Sequence, residues 1–269
     1  MPQTTDEDPN SPSGMKSLRS ALRVLMEFAG GKPSYTVTEL AALTGLTKSH
    51  ISKIAAALAS AGFIRQEPST LAYSVGVRSF VLGSQFFNQD ALCGQALPFL
   101  RELTEQTGHS TRLSVLDGHR AAYLIGINGP LFTDSPWKIG TYMPMHSTSA
   151  GRVLLAFMDD GEARALLRGP LAKMTPDTVV DPNALLKLLV AVREKGYSVS
   201  RDENTAGLSA ISVPVFDAQR TVIGVLSITF PSHAVAKKEE TALLAPLQRI
   251  ARTLSQRMGC PVYPYGSSR

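Results

Sequence analysis

The sequence of 269 residues contains little cysteine and no long apolar run. Its two cysteines, Cys93 and Cys260, lack metal-ligand spacing and need not form a disulfide, so a reducing cytoplasm is the expected compartment. No apolar segment approaches the length that crosses a bilayer, and we expect no membrane partner. Residues 1–14 are acidic, rich in proline and serine and without an apolar core, which predicts a disordered arm and no signal peptide.

Motifs of several enzyme classes are also missing. The sequence has no Gly-rich phosphate loop, no HExxH pair and no paired CxxC motifs. The histidines are scattered along the chain, and no Ser-His-Asp set can be assembled from them. We therefore expect no metal, no cofactor and no catalytic residue.

The composition fits two globular domains. Hydrophobic residues make up 43% and charged residues 18% of the chain, and its length allows two separate cores. The formal net charge is +5. Residues 15–73 carry seven basic and three acidic side chains, a balance that suits DNA as the partner of this part of the chain.

Residues 36–63 predict a helix-turn-helix. Thr36 and Glu39 have capping-box spacing at the start of the first helix, and Gly45 can take the positive φ that ends it. Thr47 then caps a second helix, whose apolar residues repeat every three or four positions. The remaining face of that helix is polar and basic. A recognition helix presents such residues to the major groove and to phosphates, although a helix pair of this kind is also used for plain packing.

The flanking segments extend this unit to a winged helix. An apolar repeat before the pair, started by Ser17, predicts a first helix, and two short alternating segments joined at 67–70 predict a wing. We expect the winged helix-turn-helix to span residues 15–76 and a linker helix to span 77–90. The candidate DNA-binding residues lie at the start of the second helix and on the wing: Thr47, Lys48, Ser49, His50, Ser52, Lys53 and Arg65.

The rest of the chain predicts an α+β domain. A helix is followed by a hairpin near Asp117–Gly118, three helices, three strands and a long closing helix, an order typical of an antiparallel sheet flanked by helices. This arrangement resembles GAF-like and PAS-type small-molecule sensors. We expect an effector-binding domain at 91–259 and a C-terminal tail at 260–269.

Three sequence blocks resemble the IclR family of bacterial transcriptional regulators. The first is GYSVSRDENTAGLSAISVPVFD, residues 196–217. Its matching positions are Gly196, Ser200, Glu203, Ala210, Ile211, Ser212, Val215, Phe216 and Asp217. LTKSHISKIAAALASAGFIR is similar to the family's recognition helix and following strand, and MHSTSAGRVLLA to a helix start in its sensor domain. The resemblance spans residues 15–258.

The resemblance implies a site for a small organic acid. In the family, two backbone amides at a helix start hold the carboxylate, which places them at Ser149 and Ala150. A helix N-terminus suits an anion because its N–H groups are unpaired. The family's four pocket side chains fall on Ser200, Ala210, Ser227 and Thr229, and His146 lies just before the amides.

Two of these positions differ from relatives that bind very small keto acids. Those relatives tend to have an Asp and a Cys where this chain has Ser200 and Ala210. The change predicts a larger and less acidic site for a bulkier, possibly aromatic carboxylate. We expect Tyr142, Met145 and Leu208 as its apolar walls.

Two functions remain open from the sequence. The first is a ligand-responsive repressor or activator that binds a palindromic DNA operator as a homodimer or homotetramer. The second is a GAF-like enzyme acting on a small acid, with the winged helix serving only dimerisation. We favour the first and expect Glu203 to be structural and not half of a catalytic carboxylate pair.

Overall fold

The computed structural model describes residues 13–30, 32–130 and 138–266. The arm predicted at 1–14 lies outside them except for its last two residues, which are helical, and the last three residues of the predicted C-terminal tail also lie outside. The chain divides into two compact units, Met1–Phe87 and Asn88–Arg269.

The first unit contains four helices and a hairpin in its described part. The elements are α1 (Ser13–Met26), a 3₁₀ turn (Glu27–Ala29), α2 (Val37–Thr44), α3 (Lys48–Ser60), β1 (Ile64–Gln66), β2 (Tyr73–Val75) and α4 (Val77–Gln89), which extends past the unit boundary. β1 and β2 pair antiparallel as the wing. Helix α1 begins four residues before the predicted Ser17, and β2 begins only at Tyr73 because Leu71 has φ 56° in the turn.

Local signals account for the helix-turn-helix. The Thr36 hydroxyl accepts from Glu39 N at 3.3 Å and Glu39 Oε2 accepts from Thr36 N at 2.9 Å, so the predicted capping box is confirmed. A hydrogen bond from Lys32 and those from Thr36 lower the pKa of Glu39 to about 2. Gly45 has φ 69° and ends α2 as predicted. The core of this unit includes Val24, Tyr35, Leu40, Ile51 and Ile54.

The second unit is built on a six-stranded antiparallel sheet. Its elements are α5 (Ala91–Thr107), β3 (Ser110–Asp117), β4 (Arg120–Ile127), β5 (Tyr142–Met143), α6 (Ser149–Phe157), α7 (Asp160–Leu167), α8 (Pro182–Lys195), β6 (Ser198–Arg201), β7 (Leu208–Phe216), β8 (Val222–Pro231), a 3₁₀ turn (Lys237–Glu239) and α9 (Glu240–Arg257). The strand order is β5-β4-β3-β8-β7-β6. The α+β class predicted from the sequence is confirmed, and only the short β5 was not expected.

The two faces of this sheet differ in chemistry. One face packs Leu113, Ile211, Leu226 and Ile228 with α5 and α9 into the main core. The other face is covered by α6, whose apolar residues form a second core with α7 and α8. On that second face, serine and threonine side chains of β3, β6, β7 and β8 lie next to one another in the register of the strands, for example Ser212 opposite Ser227 and Ser110 opposite Thr229. A cavity lies against this polar strip.

Candidate DNA-binding surface and ligand cavity

The N-terminal turns of α3 expose the predicted DNA-contact residues. Thr47 Oγ1 caps the helix by accepting from His50 N at 3.3 Å. Lys48, Ser49, Ser52 and Lys53 are exposed, as is the cap Thr47, whereas His50 is half-buried. Ser52 Oγ donates to Lys48 O at 2.9 Å, which leaves its lone pairs and not its proton for DNA. The structure therefore brings five of these side chains to one exposed helix end.

Arg65 lies apart from that helix end, on the wing. Its side chain on β1 is exposed, and its Nε donates to Ser74 Oγ on β2 at 3.1 Å. Within the described ranges, no carboxylate lies at ion-pair distance from Lys48, Lys53 or Arg65. Three uncompensated cations can neutralise phosphates without first breaking an internal ion pair.

The second unit contains a cavity of about 90 Å³ between the polar sheet face and the start of α6. This volume is smaller than the roughly 150 Å³ that admits benzene, so an aromatic ligand would require the side chains of the lining to move apart. Its lining is formed by Ser110, Arg112, Ser114, Tyr123, Met143, Thr148, Ser149, Ala150, Ser200, Asn204, Thr205, Leu208, Ser209, Ala210, Ser227, Thr229, Phe230 and Pro231. The two amide-bearing residues and the four side-chain positions implied by the resemblance all lie in this lining.

The α6 N-terminus has the geometry of an anion site. Thr148 Oγ1 caps the helix by accepting from Gly151 N at 3.1 Å, and Ser200 Oγ accepts from Ser149 N at 3.2 Å. The Ala150 N–H has no acceptor in the described part of the chain. The free Ala150 N–H and the positive helix end favour a carboxylate there. A Cβ at Gly151 would stand 2.3 Å from Met145 Cα, so only glycine allows this close approach.

A chain of buried hydroxyls joins this helix to the sheet. Ser149 Oγ and Ser212 Oγ are 2.7 Å apart, and Ser212 Oγ and Ser227 Oγ are also 2.7 Å apart. Ser212 was not among the predicted site residues. Strand alternation was the available signal, because Ser212 follows Ala210 by two positions on β7 and so shares its face. These hydrogen bonds between hydroxyls hold Ser149 and Ser227 in position at the cavity.

His146 and two of the predicted apolar walls lie outside the cavity lining. His146 Nε2 is 2.9 Å from Ala172 O, and the ring lines a separate cavity together with Met145. Tyr142 hydrogen-bonds to Asp117 through its hydroxyl instead of facing the cavity. Only Leu208 of the predicted walls lines it, and Tyr123, Met143 and Phe230 are the other large apolar or aromatic side chains of the lining. The backbone of Met145 packs against Gly151 at the start of α6.

Arg112 and Tyr123 are the ionisable side chains of the lining, and sequence reasoning missed both. Burial lowers the pKa of Arg112 and raises that of Tyr123 to about 12, so the first stays cationic and the second stays neutral near pH 7. None of the described residues that line the cavity is a histidine, a cysteine or a carboxylate. These residues can bind an anion, and none of them has a side chain suited to general-base chemistry near neutral pH.

A buried ion pair holds the loop beside the cavity. Arg152 on α6 contacts both carboxylate oxygens of Glu203, and the side chains are 3% and 12% exposed. Thr178 Oγ1 donates to Glu203 O at 2.6 Å, and Arg152 Nε donates to His146 O at 2.8 Å. Glu203 thus positions the segment between β6 and β7, which contributes Asn204 and Thr205 to the cavity.

The described residues contain no group of three or more histidine, cysteine, aspartate or glutamate residues arranged to hold a metal ion. None of their helices combines the length and the apolar character needed to traverse a bilayer.

Both units match models of known protein families. The IclR helix-turn-helix domain matches residues 17–68, and the C-terminal domain of the bacterial transcriptional regulator IclR matches residues 86–256. The HTH-type transcriptional regulator XynR of Escherichia coli (strain K12) is 32% identical, over 92% of this chain and 98% of its own.

Two solved structures are similar throughout. The crystal structure of an IclR transcriptional regulator from Alicyclobacillus acidocaldarius has 29% identity and a TM-score of 0.81, and covers 91% of this chain and 99% of its own. An IclR homolog from Microbacterium hydrocarbonoxydans, complexed with 4-hydroxybenzoate, shares the fold at 22% identity, with a TM-score of 0.77 over 90% of this chain and 98% of its own. The winged helix, the sheet with α6 across its polar face and the two domain matches lead to one conclusion: the chain belongs to the IclR family of bacterial transcriptional regulators.

Proposed function

We propose that this protein is a regulator that binds a palindromic DNA operator and whose affinity for that operator is changed by a small carboxylic acid. One observation carries the proposal: a helix end with uncompensated cations and a polar cavity at a helix N-terminus occur in the same chain. The proposed DNA contacts are Thr47, Lys48, Ser49, His50, Ser52 and Lys53 on α3 and Arg65 on the wing. Its proposed place of action is the cytoplasm.

The proposed assembly is a homodimer, with a tetramer as the larger alternative. A two-fold operator needs at least two copies of the recognition helix. Two helices of the first unit support this, because they leave apolar faces uncovered. Leu18 and Leu22 on α1 are 55% and 51% exposed, and Val77 and Phe80 on α4 are 76% and 75% exposed. Apolar patches of this kind mark protein–protein contacts.

The proposed effector carries its carboxylate at the Ser149 and Ala150 amides. Ser200, Ser227 and Thr229 supply hydroxyls around it. The apolar side chains of the lining suit a ring or a short chain, and the complex of the Microbacterium homolog with 4-hydroxybenzoate makes an aromatic acid the first candidate. We propose a regulatory and not an enzymatic role, which the names of the similar regulators support.

Acid binding and DNA binding are proposed to be linked through two arrangements of the assembly. The acid changes operator affinity only by as much as its own affinity differs between these arrangements. The test begins with selection of operators from random duplex DNA by the full-length protein. Gel-shift titrations at low and high salt, with and without 4-hydroxybenzoate or related acids, then follow. Tight binding to a palindrome that weakens steeply with salt supports the proposal, whereas no binding at low salt contradicts it.

A further inference from the structure

Among the described residues that line the cavity, Arg112 alone carries a charged side chain. It lies on β3 opposite Ser227 of β8 on one side and opposite Gly126 of β4 on the other. The missing side chain of Gly126 makes room for the arginine stem, since a Cβ there would stand 3.1 Å from Arg112 Cδ. Its guanidinium carbon is 5.4 Å from the centroid of the Tyr123 ring. The cation is therefore held against the wall at the β3–β4 end of the cavity.

Protein acceptors bond to only some of the N–H groups of this guanidinium. Its Nη1 donates to Thr111 O at 3.0 Å and to Ile127 O at 2.9 Å, and its Nη2 donates to Asn128 Oδ1 at 3.0 Å. A guanidinium has five N–H donors, so these three bonds leave two without an acceptor in the part of the chain that the structure describes. These acceptors hold the side chain in place without neutralising its charge.

No carboxylate of the described residues forms an ion pair with Arg112. Burial already lowers the pKa of this arginine, which reflects the cost of removing its charge from water. Arg112 is partly buried, and a cation partly removed from water is more costly when it has no anionic partner. A negative group brought by a ligand lowers that cost. An anion at this end of the cavity is therefore favoured by charge as well as by hydrogen bonding.

Ser114 supplies a second, independent observation at the same end. It lies two residues after Arg112 on β3 and faces Tyr123 across the strand pair. Its side chain lines the cavity, the residue is 1% exposed, and its Oγ has no hydrogen-bond partner among the described residues. Buried hydroxyls in native proteins are nearly always paired. This unpaired hydroxyl, on the same strand and in the same lining as Arg112, indicates that a polar group of a ligand completes the site.

The two anion-attracting ends of the cavity are well separated. Ser149 at the α6 N-terminus bonds to Ser200 on β6 and Ser212 on β7. Arg112 lies on β3, and β8 separates that strand from β7. Two strand spacings place the backbones of β7 and β3 about 10 Å apart. The Arg112 guanidinium bonds to Ile127 O and Asn128 Oδ1, on the β4 side of β3 and so away from β7. A carboxylate at the Ser149 and Ala150 amides therefore does not supply the anionic partner of Arg112.

We infer that the effector is a dicarboxylic acid, with one carboxylate at the Ser149 and Ala150 amides and the other at Arg112 and Ser114. This inference rests on the effector cavity of the proposed function. It assigns Arg112 the role of a specificity-determining residue, which selects acids with a second carboxylate at the far end over monocarboxylic acids of the same carbon skeleton.

The test is isothermal titration of the full-length protein with matched pairs of acids. Adipate is compared with hexanoate, and terephthalate with benzoate. Wild-type protein should bind the diacid of at least one pair about tenfold or more tightly than its monoacid, the effect of one additional charge-assisted contact. Arg112→Met should reduce that ratio to below about twofold. Arg112→Lys should keep part of it, because the positive charge remains.

Arg120→Met is the matched control. Arg120 lies on neighbouring β4 but stacks over the Tyr142 ring outside the cavity lining, so its loss removes one charge and should leave the ratio at the wild-type value. Equal affinity for diacid and monoacid in both pairs, or a wild-type affinity ratio in Arg112→Met, overturns the diacid inference but not the proposal of an acid effector. If none of the four acids binds, the diacid inference and the proposed acid effector are both overturned. If Arg112→Met does not fold, the wild-type ratios and Arg112→Lys decide the question.

Discussion

Ser200 Oγ accepts a hydrogen bond from the backbone N–H of Ser149 at 3.2 Å, so a side chain from β6 occupies one of the two amides proposed for the effector carboxylate. The adjacent Ala150 N–H has no acceptor within the described residues. A carboxylate entering the site would take over the Ser149 amide, and the Ser200 hydroxyl would be free to donate to it. Ser200 would then contact the acid instead of competing with it.

Ser200→Ala should therefore weaken acid binding by about tenfold, the value of one hydrogen bond to a charged group. Isothermal titration with the tightest-binding acid of the matched pairs measures the change. Ser198→Ala is the control, because Ser198 is buried on the same strand and face but does not line the cavity. Equal affinities of the wild-type protein and Ser200→Ala would remove Ser200 from the binding site.

Local signals in the sequence were enough to predict the winged helix. Thr36, Glu39 and Gly45 act within one or two helical turns, so their caps could be read without knowledge of the fold. Strand positions in the second unit followed from alternation in the same way. Arg112 could not be assigned in that way, because its place beside Ser227 depends on the pairing of β3 with β8, strands more than one hundred residues apart.

The sequence also did not predict the directions of side chains near the cavity. The expected walls Tyr142 and Met145 lie near the predicted amides in sequence, yet neither lines the cavity. The Tyr142 hydroxyl bonds to Asp117, 25 residues earlier in the chain, and the Met145 backbone packs against Gly151. The two amides proposed for the carboxylate were assigned from the family resemblance, and the presence of N–H groups at a helix start agrees with that assignment.

Lys48 and Lys53 should each contribute to DNA affinity mainly through charge. Lys48→Ala and Lys53→Ala should each weaken operator binding and make the slope of log K against log salt shallower by about one, because each removes one phosphate contact. Fluorescence anisotropy at several salt concentrations measures both effects. Lys187→Ala, a change of an exposed lysine on α8, is the control and should keep the wild-type slope. Unchanged binding in both α3 variants would mean that another face of the domain contacts DNA.

Alkaline pH should destabilise the second unit partly through Tyr123. Burial raises the pKa of its phenol from 10.0 to about 12, so the folded protein keeps a proton that the unfolded chain releases. The free energy of unfolding should therefore fall as pH rises from 10 to 12, by up to about 1.4 kcal/mol per pH unit from this group. Its full contribution is present below pH 10.

Tyr123→Phe separates this effect from other groups that titrate at high pH. The pKa of the Cys93 thiol is also raised, to about 12, by burial and by Asp90, and this contribution is common to both proteins. Thermal unfolding of each protein between pH 8 and 11 should show a shallower decline for the variant. Parallel curves would show that Tyr123 titrates alike in the folded and unfolded states.

Removing one partner of the Arg152–Glu203 ion pair should lower the stability more than replacing both partners by apolar residues. Arg152→Met leaves a carboxylate buried without its partner, which should cost about 3–5 kcal/mol and lower the melting temperature by roughly ten degrees or more. The double variant Arg152→Met, Glu203→Leu removes both charges and should recover part of that loss. The exposed pair Arg249–Glu102 is the control, since its side chains are 51% and 40% exposed and Arg249→Met should cost less than about 1 kcal/mol.

The same variants test whether Glu203 positions the cavity. Arg152→Met should weaken acid binding as well as stability, because the segment that carries Asn204 and Thr205 loses its tie to α6. Thermal unfolding gives the stability of each variant, and titration with the tightest-binding acid of the matched pairs gives its affinity. A double variant less stable than Arg152→Met would show that Glu203 contributes through bonds other than the ion pair, and undiminished acid affinity in Arg152→Met would show that the loop keeps its position without it.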